Sequence, residues 1–238
     1  MAILVTYLLG RRQSELEIEI LGGQICHKMI EHVRRVEEYP KHHDWHENEL
    51  HEILGEMLPR YTSLLSRRSE KVHVTVKQVR RNKSVPDKAV AVYRSPSQGD
   101  NRLARRETKA DECWPMKSFD RHASAHPGDP RQLQLIHEGD VVNMKGMPEE
   151  YTEQLARHSI ATVLAFPIRT ARDPEGKEGG SFSRLIGFYS LDCPKAHSFR
   201  ELFDKKGKTS KELDVFFTVA DALATIFMLE KRPSEARN

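Results

Sequence analysis

The sequence predicts an α+β domain in which helices pack around an antiparallel sheet, and two observations carry that prediction. The first is the stretch from Ser159 to Cys193. It reads Ser-Ile-Ala-Thr-Val-Leu-Ala-Phe-Pro-Ile-Arg, then a polar loop, then Arg-Leu-Ile-Gly-Phe-Tyr-Ser-Leu-Asp-Cys. Each half is a short apolar run rich in β-branched and aromatic residues, a pattern of buried strands. Between them, Thr170 to Ser183 holds Asp173-Pro174, Gly176 and Gly179-Gly180, the turn chemistry of a long hairpin loop. The second observation is that apolar residues recur at helical spacing both before and after this hairpin. Two buried strands make the middle of a sheet, and the amphipathic helices must cover it.

Composition sets the bounds. The chain has 238 residues, 38% of them hydrophobic and 31% charged, enough for one large domain or one domain with a helical extension. Its 38 basic residues face 35 acidic ones, a formal charge of only +3. A dedicated nucleic-acid binder needs a large unbalanced excess, so that class is excluded. Cys26, Cys113 and Cys193 are widely spaced, odd in number and without a CxxC pair, which fits reduced thiols in the cytoplasm. Met1 to Leu9 is almost wholly apolar and Arg11-Arg12 follows it. Nine residues are too few for a bilayer, which takes about 20. The charge also sits on the wrong side for a signal peptide. The run reads as a short strand or the first turn of a packed helix. Alternatively it is the cytoplasmic end of a membrane helix whose preceding segment is missing.

From Gln13 to Val36 the apolar residues Leu16, Ile18, Leu21, Ile25, Met29, Val33 and Val36 predict one helical face, ended by Tyr39-Pro40. A second helix is expected from Asp44, where Asp-Trp-His-Glu is a capping-box pattern. It carries Leu50, Ile53, Leu54, Met57, Leu58, Tyr61, Leu64 and Leu65 on one stripe, and Pro59 should kink or split it. Val72, Val74 and Val76 alternate with His73, Thr75 and Lys77, a half-buried strand. Asn82 to Asp87 reads as a turn and Ala89 to Tyr93 as the returning strand. Residues 95 to 131 lose periodicity, and so long a stretch reads as either a functional loop or a partly disordered segment. Asp140 to Met144 fits a short strand and Glu149 to Arg157 a short helix. Beyond Cys193, Phe199, Leu202 and Phe203 can pack locally. Thr209 to Glu212 is a second capping box. The helix that follows is expected to bury Leu213, Phe216, Phe217, Ala220, Leu223, Ala224, Phe227 and Met228. The division is a helical extension over 1–68, a sheet domain over 69–230 and a polar tail over 231–238.

This order of elements resembles the GAF family of small-molecule-sensing domains, related to PAS, over about Leu50 to Leu229. Gly139-Asp-Val-Val-Asn-Met resembles the family's strand after its variable segment. Ser159 and Pro167 sit in place in a strand like the family's S-x-hydrophobic-x-x-x-P pattern. Ile186-Gly-Phe-Tyr-Ser-Leu-Asp resembles its IGVL strand, and Phe199 with the Asp214 to Leu229 helix match the closing elements. The resemblance implies an antiparallel sheet of about six strands, with N- and C-terminal helices on one face forming a homodimer. It implies a ligand cleft on the other face, roofed by residues 95–143. The cyclic-nucleotide signature of the family cannot be assembled here. Cys26-His27 has the dipeptide of bilin attachment but lies ahead of the domain. Asp111-Glu-Cys113-Trp114 resembles an accessory bilin motif without the main cysteine downstream. The free-methionine-sulfoxide reductase branch needs several cysteines in the cleft loops, and only Cys113 qualifies.

Several constellations bear on chemistry. His43, Glu47 and His51 stand at helical i, i+4 and i+8 and could present metal ligands on one face. No fourth ligand is fixed by spacing, so the same residues read equally as a solvated helix start. Cys113, Asp120, His122 and His126 form a second set. Cys113 is either a reactive thiol lowered by Arg105, Arg106 or Lys117, or a covered thiol without chemistry. Arg102, Arg105, Arg106, Lys109, Lys117 and Arg121, interleaved with Trp114 and Phe119, suit a phosphate or carboxylate ligand, or equally a solvated loop offset by Glu107, Asp111 and Glu112. The candidate ligand-binding residues are therefore Arg105, Arg106, Cys113, Trp114, Phe119, Arg121 and His122. No catalytic motif is present, and no cofactor is named. The sequence reads as a cytoplasmic regulatory module, not an enzyme, dimeric and coupled to an effector protein. A ligand-free assembly scaffold and a thiol- or metal-dependent enzyme built on Cys113 are the alternatives.

Overall fold

The computed structural model describes residues 2–39, 48–66, 71–82, 85–95, 107–125, 136–138, 140, 153, 160–170, 184–199, 202 and 211–230. The expected features at Asp44, at Thr209-Ser210, in the loop over 171–183, at Phe203 and in the tail lie outside these residues. So do Ser159, Arg102, His126 and all of the expected 149–157 helix except Glu153, which is helical.

Helix α1 (Ala2–Glu38) runs from the apolar start through the predicted stripe and stops one residue before Tyr39. It buries Leu21, Ile25, Met29 and Val36, while Leu16 turns outward. Helices α2 (Asn48–Glu52) and α3 (Leu58–Ser66) are separated by a π-turn over Ile53–Met57, in which the Leu58 N–H bonds to the Ile53 carbonyl. Pro59 therefore falls in the first turn of α3, where its missing donor costs least, and the expected split is realised as that wider turn. Both sides of the turn keep the stripe inward, with Leu50, Ile53, Leu54, Leu58 and Tyr61 buried. Helix α1 is tied to α2 by polar contacts. The Nδ1 of fully buried His32 lies 3.3 Å from Glu49 Oε2. Arg35 pairs with the same carboxylate, and Lys28 with Glu52 at 2.6 Å.

The strands are β1 (His73–Asn82), β2 (Val85–Arg94), β3 (Glu107–Lys109), β4 (Ile136–Glu138), β5 (Thr162–Arg169) and β6 (Leu185–Cys193). They form one six-stranded sheet in the order β3-β2-β1-β6-β5-β4, with antiparallel neighbours throughout. The hairpin of β5 and β6 is the one the apolar runs predict, and β6 is buried along its whole length. Two expectations are corrected, the turn after β1 and the irregular stretch. The turn after β1 is tighter, because Asn82 pairs with Val85 and the strand takes in Pro86 at a register shift. A short strand lies at Ile136–Glu138, and of the strand expected over Asp140 to Met144 only Asp140, which is not in a strand, is among the described residues. The stretch read as irregular holds β3, a 3₁₀ turn (Ala110–Glu112) and helix α4 (Trp114–Ala125). Its apolar residues Trp114, Met116 and Phe119 were too few, and too close to proline and charge, to show a period.

Helices α1, α3 and α5 (Lys211–Glu230) lie on one face of the sheet. They share a single apolar core with Val74, Val76, Leu164, Phe166, Ile168, Tyr189 and Leu191. The helices placed in an N-terminal extension are thus packed into the same core as the sheet. Its centre is a run of rings: Phe166 stacks on Tyr189 and on Phe216, both with centroids 5.0 Å apart, and Tyr61 closes on Phe216 at 5.5 Å. Each such pair contributes roughly 0.5–1.5 kcal/mol beyond its burial. The Tyr189 hydroxyl donates to the Phe216 carbonyl at 2.7 Å, so the ring run is also anchored by a hydrogen bond. On α5, Val219 and Ile226 join the buried stripe, whereas Met228 is 52% exposed rather than buried. Phe199 and Leu202 pack into the same core.

Candidate functional site

The period of a strand is two, so the residues between those that face α1, α3 and α5 must face the other way. On β1 these are His73, Thr75, Lys77 and Val79; on β6, Phe188, Ser190 and Asp192; on β5, Val163 and Ala165. Register sets them side by side: His73 opposite Asp192, Thr75 opposite Ser190, Lys77 opposite Phe188. Val163 lies opposite Asp192 and Ala165 opposite Ser190. On β2, Arg94 is opposite Thr75, Ala91 opposite Lys77 and Ala89 opposite Val79.

Helix α4 covers part of this second face. Cys113, Met116 and Phe119 pack with Val79, Ala89, Val163, Ala165, Leu185 and Phe188 in a second apolar cluster, with Phe119 and Phe188 centroids 6.0 Å apart. Beside that cluster the face turns polar without becoming exposed. Thr75, Ser190 and Asp192 are each only 7% exposed, and His73 and Arg94 are half-buried. These buried hydroxyls and this carboxylate set that half of the face apart in chemistry from the apolar cluster beside it. Lys77 stands at the border between the two halves. Its Nζ donates to Thr108 Oγ1 at 3.1 Å and lies 5.9 Å from the centre of the Phe188 ring.

The candidate residues of the sequence divide accordingly. Arg105 and Arg106 lie outside the described residues, and so does the side chain of His122, whose backbone is in α4. Cys113, Trp114 and Phe119 come together at the start of α4, all buried. Arg121, on the outer side of α4, lies 5.6 Å from the Trp114 ring in a cation–π contact. Lys109 pairs with Glu112 at 3.7 Å. Of the helical metal set, His43 and Glu47 lie outside the described residues. His51 stands with its Nδ1 3.4 Å from the Tyr93 hydroxyl. Among the described residues no three His, Cys, Asp or Glu side chains are grouped as metal ligands.

Electrostatics bear on the thiol. Burial pushes the Cys113 thiol up, against the smaller opposing effects of the Lys77 charge and the Met116 backbone N–H. A reactive thiol needs the opposite shift, so burial works against the reactive reading. On the helix side, burial and then the Glu56 charge push Tyr93 up to about 12. Sequence reasoning missed Thr75, Lys77, Ser190 and Asp192. Their signal was present: two polar residues alternate with Tyr189, Leu191 and Cys193 in a strand otherwise built for a core.

The chain therefore defines an α+β sheet domain with one helix-packed face and one partly polar face beneath a short helix. No protein-family model matches the chain, and no curated protein matches it. Solved structures similar to it include the PixJ GAF domain of Thermosynechococcus elongatus in its blue-light absorbing form. That pair shares 17% identity over 75% of this chain and 83% of the other, with a TM-score of 0.42. A GAF domain of Synechocystis sp. in its photoproduct state is similar at 14% identity over 76% and 98%, with a TM-score of 0.40. The type II free methionine-R-sulfoxide reductase of Thermoplasma acidophilum is similar at 11% identity over 75% and 94%, with a TM-score of 0.40. The first two are GAF domains, the family that the sequence motifs resemble. What each of these proteins absorbs or reduces is a property of that protein.

Proposed function

We propose that this chain is a sensory or regulatory module of the cytoplasm. It binds a small molecule on the polar part of the second sheet face and passes the change to an effector protein through its long helices. The observation that carries the reading is the burial of Thr75, Ser190 and Asp192 on that face. A ligand there bears on β1 and β6, the two central strands, whose opposite side holds the helices. Displacing them shifts the balance between two helix arrangements.

The module acts as a homodimer. Buried residues Leu21, Ile25, Met29, His32 and Val36 mark one side of α1. The exposed Leu16, Ile20 and Ile30 fall within an arc of about 80° on the opposite side, at 100° per residue. With Gly23 and His27 between them, the spacing is four, three, four, three, a coiled-coil seam. Among the described residues no helix is long and apolar enough to cross a membrane.

Native mass spectrometry of the purified chain tests the reading. A dimer carrying a non-covalent small mass is expected, and a monomer without added mass would overturn it. The packing of Met116 and Phe119 directly onto the second face favours one competing reading, a scaffold that takes no ligand. A dimer without added mass, even after incubation with cell extract, is the outcome that reading requires.

A further inference from the structure

We infer that the N-terminal end of helix α1 is a membrane-surface anchor that seats the domain on an anionic lipid bilayer. Helix α1 runs without a break from Ala2 to Glu38. From Ala2 to Leu9 only Thr6 and the Tyr7 hydroxyl interrupt an apolar run. At about 100° per residue these positions make more than two turns, so the run is apolar around the whole circumference. The packed part of α1 is one-sided instead: Leu21, Ile25, Met29 and Val36 are buried, while Ile20 and Ile30 are exposed. A solvated collar separates the two. Of the side chains from Arg12 to Ile20 none is buried. Leu9 stands about 18 Å along the axis from Leu21, the first buried residue among the described side chains of the helix.

An apolar run held beyond a solvated collar needs surroundings on every side. A second copy seated on the Leu16 and Ile20 side of the helix covers one direction and leaves the others in water. A bilayer covers them all. At about 1.5 Å per residue the run is about 12 Å long, within one leaflet of a hydrocarbon core about 30 Å thick, so it anchors without crossing. An oblique seat at the headgroup boundary keeps the N–H groups of the first helical turn within reach of lipid phosphates. The charges fall in the matching order. Arg11 and Arg12 come directly after the apolar run, and the carboxylates Glu15, Glu17 and Glu19 begin about one turn further along. Glu17 is also paired with Arg60 of α3. An apolar insertion joined to a basic pair is the two-signal combination that holds a peripheral protein on an anionic surface. The anchor does not depend on the small molecule proposed above.

Flotation of the full chain with lipid vesicles tests the anchor. Phosphatidylcholine alone is compared with phosphatidylcholine containing about 30% phosphatidylserine, an anionic surface. The chain is expected to float with the mixed vesicles and more weakly with the neutral ones. Leu4→Asp combined with Leu8→Asp should weaken binding to both by about tenfold or more, since a carboxylate opposes insertion. The same variant should keep the wild-type urea midpoint, because its positions lie beyond the packed part of α1. Arg11→Gln combined with Arg12→Gln leaves the apolar run intact and should weaken binding to the mixed vesicles alone, by about tenfold or more. No flotation with either vesicle, or flotation of either variant equal to the wild type, overturns the anionic anchor. A lowered urea midpoint in the aspartate variant would put the apolar run inside the fold and overturn it too. A dimer lost in that variant, with no vesicle binding by the wild type, would make a second copy the occupant instead.

Discussion

On its helix side the sheet presents Val74, Val76, Leu164, Phe166, Tyr189 and Leu191 to three helices, and stacked rings fill the space between. On its other side Thr75, Ser190 and Asp192 are buried to a similar depth, next to the apolar patch that α4 covers. Depth of burial is thus alike on the two faces, while the chemistry differs. Dense apolar packing explains itself through the area it removes from water. The other face buries hydroxyls and a carboxylate instead, and the proposed site is built on that difference in chemistry.

Gly187 gives the largest lever on this comparison. A Cβ there would stand 2.5 Å from Phe227 Cε2 and 2.6 Å from the Lys77 carbonyl oxygen, and the carbonyl belongs to the neighbouring strand. Gly187→Ala should cost about 4 kcal/mol or more, read as a lowered urea midpoint. A loss under about 1 kcal/mol would mean that α5 does not sit so close to the sheet.

Truncation on the two faces should differ next. Phe166→Ala removes the middle ring of the run and should cost about 3–5 kcal/mol. Ser190→Ala should cost about 1 kcal/mol or less while abolishing small-molecule retention in native mass spectrometry. Equal costs would make the polar face structural and erase the contrast.

A smaller effect follows from Tyr93 on the helix side, whose hydroxyl titrates at about 12 in the fold. A raised value means the native state favours the protonated phenol. That stabilisation is intact below about pH 10 and is lost as pH rises through 12. Between those values the wild type should lose about 1–2 kcal/mol more than Tyr93→Phe, followed by denaturant unfolding at several pH values. Parallel curves would place Tyr93 in contact with water.

The smallest expected effect belongs to the outer side of α4. Arg121→Ala removes an exposed cation–π contact and should cost about 0.5–1 kcal/mol. A cost above about 2 kcal/mol would show that α4 is held to the sheet by Arg121 rather than by Phe119 and Met116.

The helix-packed face was legible in the sequence because both of its periods are strong. Val72, Val74 and Val76 alternate, the Leu50 to Tyr61 stripe repeats at helical spacing, and the hairpin from Ser159 to Cys193 is apolar almost throughout. Helix α4 was not legible, since twelve residues with a proline at the second position show barely three turns. The candidate site was legible only in part. Cys113, Trp114 and Phe119 were singled out as loop residues, but their burial depends on Val79, Ala89 and Phe188, which are distant in sequence. Lys77 was read only as a polar alternate of a half-buried strand, because alternation separates two faces without saying what covers either one. Met228 fell on the predicted stripe of α5, yet the helix turns it outward, since neighbours rather than period decide which flank of a stripe is covered.

Helix α1 has a mechanical consequence. At 37 residues it is about 55 Å long, and among its described side chains the buried ones run from Leu21 to Val36. A tilt of about 5° about the middle of that buried run would carry the N-terminal end, about 40 Å away, through about 3.5 Å. An adjustment of β1 or β6 too small to disturb the core could therefore be amplified by length alone.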